Sequence, residues 1–546
     1  MSYTRYFKYG HKIRKTSPKI QKKEAIILQK RDFKKADTWF YVKSQYFCDM
    51  NDEKSLKERT AKGLIWGGFS NGLMQLIGAV FGLALMYKLT PDDYGKVASL
   101  NIFSALACAF QESGFIAALC NKKEPTHEEY NAVFWFNILI SSTLYIILWF
   151  CAPLIADFYK IPELVVLSRV LFLSFLISGI GTAQRAYLFG HLMVKETSIC
   201  NICGILISGA IGVTLAWNDF KYWGLVIQAV SFVAVVQTMT WYFSKWRPTL
   251  PKIQNSGGSK FSTLRSSLST TLAPAWQMFG FSSKLLITNV FNIFNKEAFS
   301  VLLNRKFTEH VAGIYTQARK WDDMASNTIN GMVTGVAQPT LAQVNDETGR
   351  YKNVFRKMMR FTCFVTFPAM FGLAIIAQDF ILLVGKEKWA ESGVMLSILC
   401  IHGAIVPITT LYSNLTISRG KSNINMICTI AQCLAVWAGL ILLYPKGLMP
   451  MVIYFIGLNV AWLGIWQWCA KRLIGLRWRE ALKDILPFLI FTLIVHSFAW
   501  WATSGITVMW LRMISRIAMA AILYAGIMWV SGAKIMREAI QYLVKH

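Results

Sequence analysis

The chain has 546 residues, of which 54% are hydrophobic and only 16% charged, and its mean hydropathy is +0.40. Soluble domains carry roughly a quarter charged residues, so a soluble globular chain is excluded, as are a disordered chain and a disulfide-stapled scaffold. A net charge of +28 would suggest nucleic acid in a soluble protein. Here the basic residues gather in short stretches between apolar runs, which fits a polytopic membrane protein beside anionic lipid and predicts no nucleic-acid partner.

Residues 1–60 read as a basic cytoplasmic tail. Residues 1–49 hold 13 Lys and Arg against 4 Asp and Glu, with no apolar run long enough to span. Such a segment touches anionic headgroups. A second reading is translation from Met50, where M-N-D-E-K-S-L-K-E-R-T-A-K-G resembles a compact start. Neither reading gives the tail a role in transport, and no cleavable signal peptide is expected.

A membrane helix needs about 20 mostly apolar residues. Six such stretches lie at 64–87, 96–119, 131–156, 164–188, 197–217 and 221–243. A polar stretch with Pro, Gly and Ser follows at 244–265, the best internal boundary in the chain. Six more lie at 279–304, 311–341, 359–383, 391–416, 424–444 and 450–470, and two at 485–503 and 508–530. The predicted fold is therefore an all-α polytopic membrane protein of about 14 transmembrane helices. Its parts are an N-terminal six-helix lobe (61–245), a cytoplasmic linker (246–278), a C-terminal six-helix lobe (279–472), and two extra helices with a tail (473–546). The two lobes enclose a central cavity. Lys and Arg favour the connections after even-numbered spans and both tails, so both termini face the cytoplasm.

A short repeat supports two related lobes. Lys88, Thr90 and Gly95 recur as Lys306, Thr308 and Gly313, at a constant offset of 218. Both copies fall on the outer side, at the same place in each six-helix block, as in transporters built from parallel repeats.

Charges inside a membrane are costly and usually face the bundle interior or water. Glu112 lies in the second predicted span, and Arg169 and Arg185 in the fourth. The seventh carries Lys284, Asn289, Asn292, Asn295, Lys296 and Glu297. The eighth carries Arg319, Lys320, Asp322 and Asp323. Asn289, Asn292 and Lys296 share a helix face, and a polar face among membrane helices should line a hydrated cavity. The candidate substrate-binding residues are Arg319, Lys320, Lys284, Arg169, Arg185, Asn289, Asn292 and Lys296. Their cations suit phosphate oxygens, and their amides suit sugar hydroxyls. Ion pairing of Arg319 with Asp322 or Asp323 is the structural alternative. Glu112, Asp322 and Asp323 are the candidates for ion coupling.

Other signals carry little. Arg419-Gly420-Lys421-Ser422 lacks the first glycine of a phosphate-binding loop, with Leu415 in its place. Cys200 and Cys203 have no second ligand pair. His191, His310, His402 and His496 form no metal spacing, and no catalytic constellation stands out. The chain is read as a non-enzyme without cofactor or metal, with proton or sodium counter-transport open.

The segments T-A-K-G-L-I-W-G-G-F-S-N-G (60–72), L-T-P-D-D-Y-G (89–95), V-F-W-F-N-I-L (133–139) and A-P-L-I-A-D-F-Y-K-I-P-E-L (152–164) resemble bacterial O-antigen and exopolysaccharide flippases. So do F-G-F-S-S-K-L-L (279–286), A-G-I-Y-T-Q-A-R-K-W (312–321) and I-N-G-M-V-T-G-V-A-Q-P-T-L-A-Q-V-N-D (329–346). These flippases belong to the multidrug/oligosaccharidyl-lipid/polysaccharide exporter superfamily, and the resemblance covers about residues 55–480. The chain departs from the pattern at Gln111-Glu112-Ser113-Gly114 and in its basic tail. The resemblance implies export of an undecaprenyl-pyrophosphate-linked oligosaccharide across the bacterial inner membrane by alternating access, for polysaccharide or lipopolysaccharide biosynthesis. It also implies membrane lipids, a polysaccharide polymerase and glycosyltransferases as partners. The competing expectations are a multidrug cation antiporter and a flippase for another polyprenyl-linked cell-wall precursor.

Overall fold

The computed structural model describes residues 70–112, 125–191, 193–250, 289–343 and 348–530, with a few isolated positions between them. The basic tail, most of the predicted linker and Lys284 lie outside the described residues.

The regular structure among the described residues is helical. In chain order come α1 (Ser70–Lys88), α2 (Pro91–Ala98), α3 (Asn101–Glu112), α4 (His127–Tyr159) and α5 (Leu164–Ile180). Then come α6 (Thr182–Gly190), α7 (Val194–Trp217) and α8 (Trp223–Phe243). Helix α9 covers 289–306. It is followed by α10 (Glu309–Gln343), α11 (Thr348–Gly385), α12 (Ala390–Ser418) and α13 (Ser422–Leu443). The last three are α14 (Leu448–Ile474), α15 (Trp478–Ala502) and α16 (Met509–Val530).

Ten of the described helices are long and apolar enough to cross a membrane, or eleven if α5 and α6, bent by 47° at Gly181, are one span. Helix lies within each of the fourteen predicted stretches, and the spanning count covers the described residues alone. α10 is too polar along its length, and the second and seventh stretches lie only partly within the described residues. In the long helices hydroxyl and amide side chains bond back to their own turn, as Asn137 Nδ2 does to the Val133 carbonyl at 2.9 Å. This satisfies polar groups that hydrocarbon cannot.

The buried core falls into clusters. One joins α4 and α6 around Tyr130, Phe134 and Trp246. A second joins α3, α4 and α5 around Leu100, Phe172 and Phe175. The largest runs through α9 to α16 and takes in Leu85, Met86 and Leu89 from the end of α1. Trp389, fully buried, donates its indole N–H to the Met86 carbonyl at 3.0 Å. Lys388 Nζ donates to the carbonyls of Tyr87 at 2.9 Å and Leu89 at 2.7 Å. A cation at a helix C-terminus satisfies orphan carbonyls and complements the dipole.

The repeated threonine has a structural reason. Thr90 and Asp93 form a capping box on α2, and Thr308 Oγ1 accepts the Val311 N–H at 3.3 Å at the start of α10. Each copy therefore starts a helix. Thr90→Ala is expected to cost about 1 kcal/mol, read as a lower unfolding midpoint in detergent.

Helices α15 and α16 are held to α11 by ion pairs. Arg356 bonds both Asp484 oxygens, at 2.7 and 3.1 Å, and Lys352 meets Glu480 at 2.7 Å. At the other end of α11, Asp379 receives Arg512 and Arg516.

Candidate functional site

A cavity of about 510 Å³ opens between the helices of the first half and α9–α10. Gln75 of α1, Tyr94 of α2 and Asn101 of α3 line one side, with Leu225 of α8. On the other side stand Lys296, Glu297 and Ser300 of α9, and Thr316, Arg319, Lys320, Asp323 and Asn327 of α10. The α10 residues recur every three or four positions, so they share one face of the helix. Its opposite face packs into the largest core cluster through Tyr315, Ala318 and Ile329.

Charge in the cavity is partly cancelled. Arg319 is largely buried and lies between two carboxylates, with Nη2 3.3 Å from Glu297 and Nε 3.6 Å from Asp323. It also reaches Ser300 Oγ at 3.4 Å. Lys296 stands 3.5 Å from Asp323. Lys320 differs: among the described residues no carboxylate stands within 4.0 Å of its ammonium. Its Nζ lies 5.9 Å from the Tyr94 ring centroid and 6.0 Å from that of Trp321. It also lies against Gly82 of α1, where a Cβ would come within 2.9 Å of Nζ. Among the described residues, three cations and two carboxylates leave an excess of one positive charge, and Lys320 holds it.

The structure brings Lys296, Arg319, Lys320 and Asp323 together in this cavity. The other described candidates lie elsewhere. Arg169 stacks on Trp149 of α4, with its guanidinium 4.5 Å from the ring centroid. Arg185 donates to Ser178 Oγ at 3.1 Å. Neither lines the cavity. Asn289 and Asn292 are exposed on α9 and are also absent from its wall. Glu112 ends α3, and its side chain is outside the described residues, as is Lys284.

Asp322 points away from the cavity into the packing of α10 against α12. Its carboxylate is buried, 3.8 Å from His402 Nδ1, and its Oδ1 has no hydrogen-bond partner among the described residues. Gly403 leaves the space that Oδ1 occupies, since a Cβ there would collide with it. Sequence reasoning left Glu297, Tyr94, Gln75, Asn101 and Asn327 out of the site. Glu297 stood in the polar run of the seventh stretch, one residue from Lys296, and was the nearest to being found.

An all-helical chain with ten or more apolar spans and a charged cavity between them is an integral membrane protein with an internal polar chamber. Residues 88–394 match the model of a family described as polysaccharide biosynthesis protein. The chain belongs to that family. It is 24% identical over 377 residues to the lipopolysaccharide biosynthesis protein WzxC of Escherichia coli (strain K12), covering 68% of this chain and 72% of that one. It is 25% identical over 450 residues to the teichuronic acid biosynthesis protein TuaB of Bacillus subtilis (strain 168), covering 80% and 87%. The succinoglycan biosynthesis transport protein ExoT of Rhizobium meliloti (strain 1021) is 22% identical over 324 residues, covering 59% of this chain and 62% of that one. Among solved structures, the lipid II flippase MurJ in an inward closed conformation superposes with a TM-score of 0.64 at 12% identity, over 87% of this chain and all of that one. An inward-facing multidrug resistance MATE family transporter of the MOP superfamily gives 0.53 at 12% identity, over 73% and 95%. At these identities the structures establish the fold alone.

Proposed function

We propose that this chain moves a lipid-linked oligosaccharide from the inner to the outer leaflet of a bacterial cytoplasmic membrane by alternating access, for polysaccharide assembly. A phosphorylated head bearing sugars cannot cross hydrocarbon unaided, because its polar groups would be left without partners. The observation that carries the reading is Lys320, an ammonium in an interhelical cavity with no carboxylate within 4.0 Å among the described residues. Such a group is free to meet an incoming anion. The amide side chains of Gln75, Asn101 and Asn327 on the same wall suit sugar hydroxyls. An exporter of organic cations would need the opposite sign of excess charge.

In this reading the headgroup is the pyrophosphate of a polyprenyl carrier, and the hydrocarbon tail stays in the bilayer. Both termini are cytoplasmic, which puts the α1–α2 and α9–α10 turns outside. Glycosyltransferases at the inner face build the substrate, and a polymerase outside consumes it. An inside-negative potential favours outward movement of an anion by about 2.3 kcal/mol per charge per 100 mV, so voltage supplies a large part of the drive.

Asp322 is the group best placed to link this drive to protons. It is buried with one free oxygen beside His402. Cys400 of α12 and, on its own helix, Tyr315, Arg319 and Asp323 are the other titratable or charged groups near it. In reconstituted vesicles at fixed voltage, acidifying the outer side is expected to accelerate transport. Asp322→Asn is expected to flatten that response while leaving headgroup binding intact. An unchanged pH response in Asp322→Asn would rule out this role.

The reading as a whole is tested by deleting the gene and analysing polyprenyl-linked lipids by leaflet. Accumulation of one oligosaccharide-bearing lipid on the inner leaflet, reversed by the intact chain, is the expected result. An unchanged leaflet distribution would refute it.

A further inference from the structure

The repeat noted in the sequence makes contact with itself. Gly95 of α2 seats on α10, where a Cβ would collide with the Glu309 carbonyl oxygen. Gly313 of α10 seats on α2, where a Cβ would collide with the Pro91 carbonyl oxygen. Glu309 is the repeat equivalent of Pro91 at the offset of 218, and Gly313 is that of Gly95. Each glycine thus packs on the other copy's counterpart of one position. Another equivalent pair in this turn, Asp92 and His310, also faces itself, with His310 Nδ1 3.6 Å from Asp92 Oδ2. A contact in which i meets j and j meets i is isologous, the arrangement of a two-fold interface. Here it arises within one chain.

The cavity lies just beyond this contact along both helices. On α2 and α3 its wall continues from Gly95 through Ala98 to Asn101, and on α10 from Gly313 through Thr316 to Lys320. Further links cross at the same level. Lys96 reaches across to Glu309 at 3.8 Å, and the 387–389 turn clamps the end of α1 through Trp389 and Lys388.

We propose that this self-complementary contact is the outer gate of the chamber, and that its two halves part together as one latch. The orientation rests on the transport reading above. The glycines are required because backbone meets backbone: any side chain at Gly95 or Gly313 holds the helices apart. Because the halves are equivalent, loosening either glycine contact loosens both.

The test reads access to the chamber without any cargo. The probe is Asn101→Cys in the full chain, labelled from the outer face by a membrane-impermeant thiol reagent and quantified at that position by mass spectrometry. Adding Gly313→Ala is expected to raise the labelling rate at least 10-fold. A second variant covers misfolding of the first: Asp92→Cys with His310→Cys, oxidised across the gate, is expected to lower labelling at least 10-fold, with recovery on reduction. Equal rates in all samples, with the cross-link verified, would overturn the proposal. Labelling does not depend on the substrate, so this failure is distinct from that of the cargo assignment. A gate that responds as expected, beside a deletion strain with unchanged lipid distribution, would leave the gate standing and refute the cargo.

Discussion

Lys320→Gln will abolish most transport while leaving the protein as stable as the parent, or more so. The ammonium is half-buried without a counter-ion among the described residues, and burying an unpaired charge costs stability, so its removal relieves the fold. A charge-assisted hydrogen bond to a bound phosphate contributes about 2 kcal/mol, which is roughly a 30-fold loss of headgroup affinity. Arg319→Gln should do the reverse in stability. It leaves Glu297 and Asp323 facing the cavity without the guanidinium that lies between them, so the unfolding midpoint should fall. The pair of midpoints, measured with binding of a pyrophosphate-bearing probe, separates a cation kept for the ligand from a cation kept for the fold. If Lys320→Gln lowered stability and bound the probe normally, Lys320 would be a structural residue.

The second large effect concerns Asp379. Its carboxylate is buried and receives Arg512 Nε at 3.0 Å and Arg516 Nη1 at 2.8 Å. Arg516 is itself buried, and its other bonds go to Thr503 Oγ1 at 3.2 Å and the Ile375 carbonyl at 2.9 Å. Removing one partner of a buried pair leaves an uncompensated charge and costs about 3–5 kcal/mol. Asp379→Asn should therefore loosen α16 from α11, giving a much lower unfolding midpoint and proteolysis near residues 503–508. Replacing all three groups together (Asp379→Leu, Arg512→Met, Arg516→Met) should recover most of the loss, because an apolar substitute of similar size removes the desolvation cost as well. Failure of the triple variant to recover would assign the loss to packing rather than charge.

The helices were legible in the sequence because apolar length is a local property. The predicted stretch 311–341 is the helix Glu309–Gln343, and 391–416 is Ala390–Ser418. The site was legible only in part. Arg169, Arg185 and Arg319 look alike in sequence, each a cation in a predicted span. Their fates depend on which helix face meets which neighbour, and no local pattern encodes that. Arg169 finds the Trp149 ring and Arg185 finds Ser178, while Arg319 finds the chamber. Asp322 and Asp323 were indistinguishable as partners of Arg319. Successive residues on a helix point about 100° apart, so Asp323 faces the chamber and Asp322 faces His402. The repeat was visible as letters, but its meaning lies in a contact between positions far apart in the chain. The same holds for Asp379 and its two arginines, 133 and 137 residues away.

The central claim is that one chain, by itself, carries a polyprenyl-linked oligosaccharide across a bilayer through a cavity in which Lys320 meets the headgroup. The most direct measurement is transfer of a fluorescent polyprenyl-pyrophosphate trisaccharide in proteoliposomes holding the purified protein, with an impermeant quencher reporting the outer leaflet. The account predicts rapid equilibration with the intact chain, acceleration by an inside-negative potential, and at least a 10-fold slower rate with Lys320→Gln. Transfer no faster than in protein-free vesicles, or an undiminished rate with Lys320→Gln, would contradict it.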